Sequence, residues 1–202
     1  MKVVIVGSGS TALSVASILK NDRNFQIVGF TDKDDKKKGK KILGIEVIGK
    51  HSVLKDLFKQ GVRGAVVAVG YDNNIREKYY HELTEIGFEM INVIHPSALV
   101  DPSSVITEGV AIGPGCIVSP MVSIERNTIL EEGVIIGANT QIADNVYIGV
   151  GSSISGGSFI KRNAFLSAGC YVAPFVTVGK NAFVGPGLAV AKDIPDKVRG
   201  RA

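Results

Sequence analysis

Histidine is scarce in this chain of 202 residues: His51, His81 and His95 are the only three, and none follows residue 95. Any chemistry in the C-terminal half must therefore proceed without an imidazole of its own. His81 has no second histidine four positions away, and the adjacent Glu82 lies on another helical face, so no metal site is predicted. His51 fits a helix start and His95 a turn beside Pro96. Cysteine is scarcer still. Cys116 and Cys170 both fall on inward positions of the repeat described below, the setting of reduced core thiols rather than of a disulfide framework. No apolar run reaches bilayer length, and the N-terminus enters a strand without a cleavable signal, so a cytoplasmic protein with no membrane span is expected. The net charge is only +4, with much of the excess in Lys36, Lys37, Lys38, Lys40 and Lys41. With no aromatic residues interleaved, that run reads as a solvated loop, and nucleic acid is not an expected partner.

What the chain has in abundance is period. From Val100 to Val190 every sixth residue is Val, Ile or Leu, without a skipped step: Val100, Ile106, Ile112, Val118 and so on through Ile142, Ile148 and Val184. Four places after each stands a small or apolar residue, among them Ser104, Val110, Cys116, Val122 and Thr128. An unbroken hexad of this kind predicts a parallel β-helix, each hexad being one short strand and a corner.

The first ninety-odd residues follow a different rule. Lys2–Val6 is a continuous apolar run typical of a buried parallel strand, and Gly7-Ser8-Gly9-Ser10-Thr11-Ala12 leads from it into a helical pattern ending near Lys20. A second strand, Phe25–Phe30, runs on to Asp32. Strand, G-x-G-x-x-A turn, helix, strand and acid form the arrangement in which backbone N–H groups at a helix start hold a phosphate and the acid takes a ribose hydroxyl. Further strands are predicted at Gly44–Gly49, Ala65–Val69 and Met90–Ile94, with helices over His51–Gln60 and from a cap at Asn73 or Asn74 to Ile86. The predicted fold class is a small α/β Rossmann-like domain over residues 1–94, a linker at 95–99, and an all-β parallel β-helix over 100–202.

Val4-Ile5-Val6-Gly7-Ser8-Gly9, Phe30-Thr31-Asp32 with the lysine loop and Gly44, Val67-Ala68-Val69-Gly70, Ile94-His95-Pro96-Ser97-Ala98 and the hexads together carry a family resemblance. The chain resembles the bacterial sugar acetyltransferases that join a nucleotide-sugar-binding domain to a left-handed β-helix, among them the sialic-acid O-acetyltransferases and UDP-amino-sugar N-acetyltransferases. The resemblance implies a left-handed coil, a homotrimer built through it, a UDP-linked sugar near Gly7, Gly9, Ser10, Thr11, Asp32 and Gly70, and acetyl-CoA along the β-helix near Gly149, Gly151, Arg162 and Lys180. Three departures stand out. The family's Gly-Gly-His-Gly turn is Gly9-Ser10-Thr11-Ala12 here, so Thr11 replaces a sugar-contacting histidine. The hexad that holds the catalytic histidine is Ile142-Ala143-Asp144-Asn145, which puts Asp144 in its place. The C-terminus, Arg199-Gly200-Arg201-Ala202, stops short of the family's CoA-binding tail.

Three hexads make one coil, so residues 18 apart should stack in columns about 4.8 Å apart. Asp144 then lies in the column Glu108, Arg126, Asp144, Arg162, Lys180, with an arginine on either side favouring the ionised carboxylate. That suits a charge ladder better than a general base. Corner columns of Gly109, Asn127, Asn145, Asn163, Asn181 and of Gly115, Gly133, Gly151, Gly169, Gly187 use the residues that tolerate left-handed backbone. An outward line of Ala111, Ile129, Tyr147, Phe165 and Phe183 suggests a contact surface, with Phe159 and Tyr171 outward on the other two faces. Three functions follow: an acetyl-CoA-dependent acetyltransferase with an atypical proton acceptor, a non-catalytic trimeric nucleotide-sugar-binding scaffold, or a dinucleotide-linked enzyme, for which nothing after residue 95 supplies a substrate domain.

Overall fold

β1 (Lys2–Val6), whose last four residues are buried, is a central strand of the first unit. The computed structural model describes residues 1–200, with side chains to Val198, and divides after Val93 into two units. The first unit holds a six-stranded sheet of order β3-β4-β2-β1-β5-β6. Its strands are β1, β2 (Gln26–Thr31), β3 (Lys41–Ile42), β4 (Ile45–Gly49), β5 (Gly64–Val67) and β6 (Glu89–Met90). β2 and β5 flank β1 in parallel, and only the β3–β4 hairpin is antiparallel. The chain leaves β1 toward one neighbour and returns to the other, so a crevice opens at the carboxyl end of β1.

Helix α1 (Ser10–Lys20) buries Ala12, Val15, Ala16 and Leu19, spaced three or four apart along one face. α3 (Asn73–Ile86) is capped by Asp72, whose Oδ1 accepts the Ile75 N–H at 3.0 Å, and not by Asn73 or Asn74 as the sequence suggested. Capping by Asp72 starts the helix one residue earlier and makes Asn73 its first residue; Gly87 at φ +104° closes it. The helix expected over His51–Gln60 is a 3-10 turn at His51–Val53 followed by α2 (Leu54–Lys59). The strand expected at Met90–Ile94 is two: β6 joins the first sheet, and β7 (Val93–Ile94) starts a sheet of the second unit.

Eighteen two-residue strands, β7 through β24 (Arg199–Gly200), make up the coil among the described residues. They stack into three parallel sheets with an 18-residue register, for example Ile129 on Tyr147 and Ile117 on Ile135. The coil is a left-handed β-helix, as in its relatives described below. Both inward columns are dry: Ile112, Ile124, Ile136, Ile142 and Ile148 are fully buried, and so are Val110, Cys116, Val134 and Val146 four places along. Where that second column is polar, a hydroxyl caps a carbonyl of the next coil, as Thr128 does for Ala143 at 3.2 Å and Ser152 for Ser167 at 3.1 Å. Residues 95–99 already belong to the first coil, since the His95 N–H donates to the Ile112 carbonyl and Leu99–Val100 is β8. Arg201 and Ala202, the last residues of the expected C-terminal departure, lie outside the described residues.

The corners follow the columns. Asn127, Asn145, Asn163 and Asn181 have φ of 56°, 57°, 63° and 56°, and their side-chain amides form a continuous hydrogen-bonded ladder. The apolar outward line divides instead of forming one free surface. Ala111, Ile129 and Tyr147 are buried within the single chain, while the rings of Tyr147, Phe165 and Phe183 stack at 4.5 and 5.4 Å. Their 18-residue spacing brings the rings into contact, so they cover one another. Exposed apolar side chains lie on another face, at Leu99, Ile117, Ile135 and Tyr171.

Candidate functional site in the N-terminal unit

A cavity of about 280 Å³ opens at the carboxyl ends of β1, β2, β4 and β5. It gathers Gly7, Gly9, Ser10, Thr11, Asp32 and Gly70, all six residues assigned to the nucleotide sugar. The two glycines have different reasons to be there. Gly7 sits at φ +105°, and a Cβ on it would stand 2.7 Å from the Ala68 carbonyl oxygen, so the fold itself requires glycine. A Cβ on Gly9 would meet nothing within 4 Å, which leaves room for a ligand to approach the backbone. Gly9 is also the cap residue of α1, with no side-chain cap and no acid in the first turn, so nothing in the helix itself neutralises its positive end, which lines the cavity.

Asp32 is tied more tightly than a simple ribose acceptor. Its Oδ1 accepts the Asp34 N–H at 2.9 Å, and its Oδ2 accepts from the Lys37 ammonium at 2.8 Å and from the Ser8 hydroxyl. Burial pushes its pKa up, but the hydrogen bonds from Lys37, Ser8 and Asp34 outweigh burial and bring it down to about 2. Lys37 also donates to Ser8 Oγ at 3.1 Å, so one residue of the supposedly solvated lysine run turns back to the glycine loop. The turn that carries it back is built from aspartates: Asp32 accepts the N–H of Asp34, and Asp34 that of Lys36. The spacing Asp32-Lys33-Asp34 is the sequence signal for it.

Two further residues had no assigned role. Arg76 is fully buried in α3, and its Nη1 donates to the carbonyls of Val69 and Gly70 at 3.1 and 3.2 Å, fixing the loop on the β5 side of the cavity. His51 lines the cavity where β4 ends, with Nδ1 2.9 Å from Thr31 Oγ1 and its ring 4.1 Å from that of Tyr79.

On the β-helix, one rung of the expected charge ladder is formed: Arg126 Nη2 donates to Asp144 Oδ2 at 3.1 Å. Gly149 and Gly151 both have local reasons to be glycine. A Cβ at Gly149 would lie 2.7 Å from the backbone nitrogen of Ala168 in the next coil, and Gly151 turns a corner at φ +66°. Arg162 is half-buried and Lys180 exposed, on successive rungs. His95 is held in its turn, Nδ1 accepting the Ser97 N–H at 3.1 Å. Among the described residues no three His, Cys, Asp or Glu side chains gather to hold a metal, and no helix is long and apolar enough to cross a membrane.

Both units have known counterparts. Residues 2–83 match the PglD N-terminal domain family. Along 98% of its length the chain is 33% identical to a perosamine N-acetyltransferase from Caulobacter crescentus, covering 92% of that protein with a TM-score of 0.93. That structure is of a histidine-to-asparagine variant in complex with CoA and GDP-perosamine. The acetyltransferase domain of PglB from Neisseria gonorrhoeae, in complex with acetyl coenzyme A, is 25% identical over 98% of this chain and 94% of its own, with a TM-score of 0.67. WeeI from Acinetobacter baumannii shares the fold at 18% identity, over 98% of this chain and 96% of its own, with a TM-score of 0.71. The chain is a member of the sugar acetyltransferase family that pairs this N-terminal domain with a hexapeptide-repeat β-helix.

Proposed function

We propose that the protein transfers the acetyl group of acetyl-CoA to the amine of a nucleoside-diphosphate-linked amino sugar. The observation that carries this is the 33% identity to a perosamine N-acetyltransferase along 98% of the chain, which spans both units at once. In this reading the N-terminal cavity holds the nucleotide: the α1 N-terminus, Ser10 and Thr11 take the diphosphate, and Lys37, positioned by Asp32, adds a cation beside it. The family resemblance implies uridine as the nucleoside, whereas the perosamine enzyme was crystallised with a guanosine nucleotide, so both belong in the assay. Acetyl-CoA binds along the β-helix, with Arg162 and Lys180 as the cations for its phosphates and Gly149 and Gly151 keeping that surface flat. Three chains assemble through the exposed apolar face at Leu99, Ile117, Ile135 and Tyr171.

Asp144 argues for an amine acceptor over a hydroxyl. A carboxylate is ordinarily a weaker base than the family's imidazole, and this one is already engaged by Arg126 at 3.1 Å. A neutral sugar amine needs no base before it attacks. Its lone pair adds to the thioester carbonyl carbon, the carbon–sulfur bond breaks, and the now cationic nitrogen gives its proton to solvent, to Asp144 or to the departing thiolate. A hydroxyl would have to lose its proton as it attacks.

The test is thiol release from acetyl-CoA with a panel of UDP- and GDP-linked amino sugars and their hydroxyl counterparts. Release with amino sugars only is expected. Asp144→Ala should then change the rate by less than about threefold, and Asp144→His should raise it by about a hundredfold, the reach of a general base. Binding of a nucleotide sugar without thiol release from any acceptor would replace this reading with the trimeric scaffold.

A further inference from the structure

His51 is the one imidazole in the nucleotide cavity, and its two nitrogens are treated differently. Nδ1 lies 2.9 Å from the hydroxyl of Thr31, a residue with no solvent exposure. That hydroxyl has no other hydrogen-bond partner among the described residues, so its proton must go to Nδ1 or remain buried and unsatisfied. The bond therefore runs from Thr31 Oγ1–H to Nδ1, which fixes the ring proton on Nε2. The ring of Tyr79, tilted by 56° at a centroid distance of 4.1 Å, holds the imidazole in place. Nε2 has no hydrogen-bond partner among the described residues, and the ring lines the cavity.

Its place in the sheet says which part of a ligand it can reach. The glycine loop follows β1, Asp32 follows β2, and His51 follows β4, three neighbouring strands. Two strand spacings put His51 roughly 10 Å from the phosphate end, with Asp32 between them. A nucleotide laid along that line places phosphate, ribose and base in the same order. On the reading that this cavity holds a nucleoside-diphosphate sugar, we propose that His51 reads the nucleobase: Nε2–H donates to a ring carbonyl oxygen and so selects uracil or guanine nucleotides over adenine nucleotides, which carry no ring carbonyl. Thr31 is the positioning residue that keeps the donor on Nε2.

The charge state supports a fixed neutral donor. Burial lowers the His51 pKa from its ordinary value, Asp32 pulls it back up, and Lys78 lowers it further. A donor that stays neutral prefers a carbonyl to a phosphate, which would call for a cation.

Calorimetry on the full-length protein with UDP, GDP, ADP and inorganic pyrophosphate tests this. Wild type should bind the better of UDP and GDP at least about tenfold more tightly than ADP, the worth of one well-placed hydrogen bond. His51→Ala should bring that preference below about threefold and leave pyrophosphate affinity unchanged, and Thr31→Val, close to isosteric, should weaken the same preference without touching pyrophosphate. Equal losses for pyrophosphate and nucleotide would make His51 a phosphate ligand and overturn the assignment. A wild type that binds UDP or GDP with a preference over ADP that neither variant alters also overturns it, leaving the proposed activity intact. A wild type that binds no nucleotide removes the proposed activity and this inference together.

Discussion

Asn145 and Asp32 are both buried polar side chains in engaged hydrogen bonds, and they are built in opposite ways. Asn145 accepts from Asn127 at 2.8 Å and donates to Asn163 at 2.7 Å, each partner 18 residues away and of its own type. Asp32 meets Ser8, 24 residues before it, and Lys37, five after it, and neither spacing belongs to a repeat. In the β-helix a polar side chain is accounted for by the coil above and the coil below. In the N-terminal unit polar side chains converge on a space that the fold leaves open. Polar order alone is therefore weak evidence of a site; polar order aimed at a cavity is much stronger.

The largest expected effect tests how rigid the repeat is. Ile148 is fully buried in the stack of aliphatic side chains at the centre of the coil. Shortening it removes contacts with the coils on both sides and leaves a cavity the regular backbone cannot collapse to fill. Ile148→Ala should cost about 2–5 kcal/mol in equilibrium denaturation. A loss below about 1 kcal/mol would mean that the coils adjust independently, and the contrast with the irregular N-terminal unit would shrink.

Asp32 gives the matching test on the other side. Its folded pKa of about 2 lies below its ordinary 3.8, so its contribution to stability is fully present above 3.8 and drains away as the pH falls toward 2. Asp32→Asn should destabilise the protein by about 1.5–3 kcal/mol at neutral pH, the worth of hydrogen bonds to a charged acceptor. It should also flatten the acid side of the stability profile over that window. Denaturation curves at pH 7 and at a series of acid values read both effects. If the profile of the variant stays as steep as that of the wild type, Asp32 is not the group that stores this stability.

The same contrast decides what could be read before the structure. The hexads, the Asn and Gly corners and the Arg126–Asp144 pair were all legible, because an 18-residue period turns sequence distance directly into contact. The strand–turn–helix start and the residues of the glycine loop were legible from local pattern. Lys37, His51 and Arg76 were not. Lys37 is one of five similar lysines until the two aspartate turns bring it back, and His51 gains its meaning only from Thr31, 20 residues earlier. Arg76 looks like any helical cation until its face is buried against the Val69–Gly70 loop. The aromatic line was misread because alternation gives direction but not cover: Tyr147 points outward and is still buried.

The smallest expected effect falls where the repeat breaks its own rule. The third corner column runs Met121, Asn139, Gly157, Phe175, with φ of 58°, 58°, 70° and 62°. Asparagine and glycine suit that conformation; methionine and phenylalanine do not. Phe175 is also 82% exposed, so little burial offsets its backbone strain. Its ring lies over Gly157, where a side chain would come within about 2.5 Å of it. Phe175→Asn should therefore raise stability by about 1 kcal/mol, seen as a higher denaturation midpoint at unchanged slope. Gly157→Ala in the wild type should lower stability, and the same change in the Phe175→Asn background should cost less, because the ring it meets is gone. Equal costs in the two backgrounds would show that the corner, and not the aromatic side chain above it, sets the requirement for glycine.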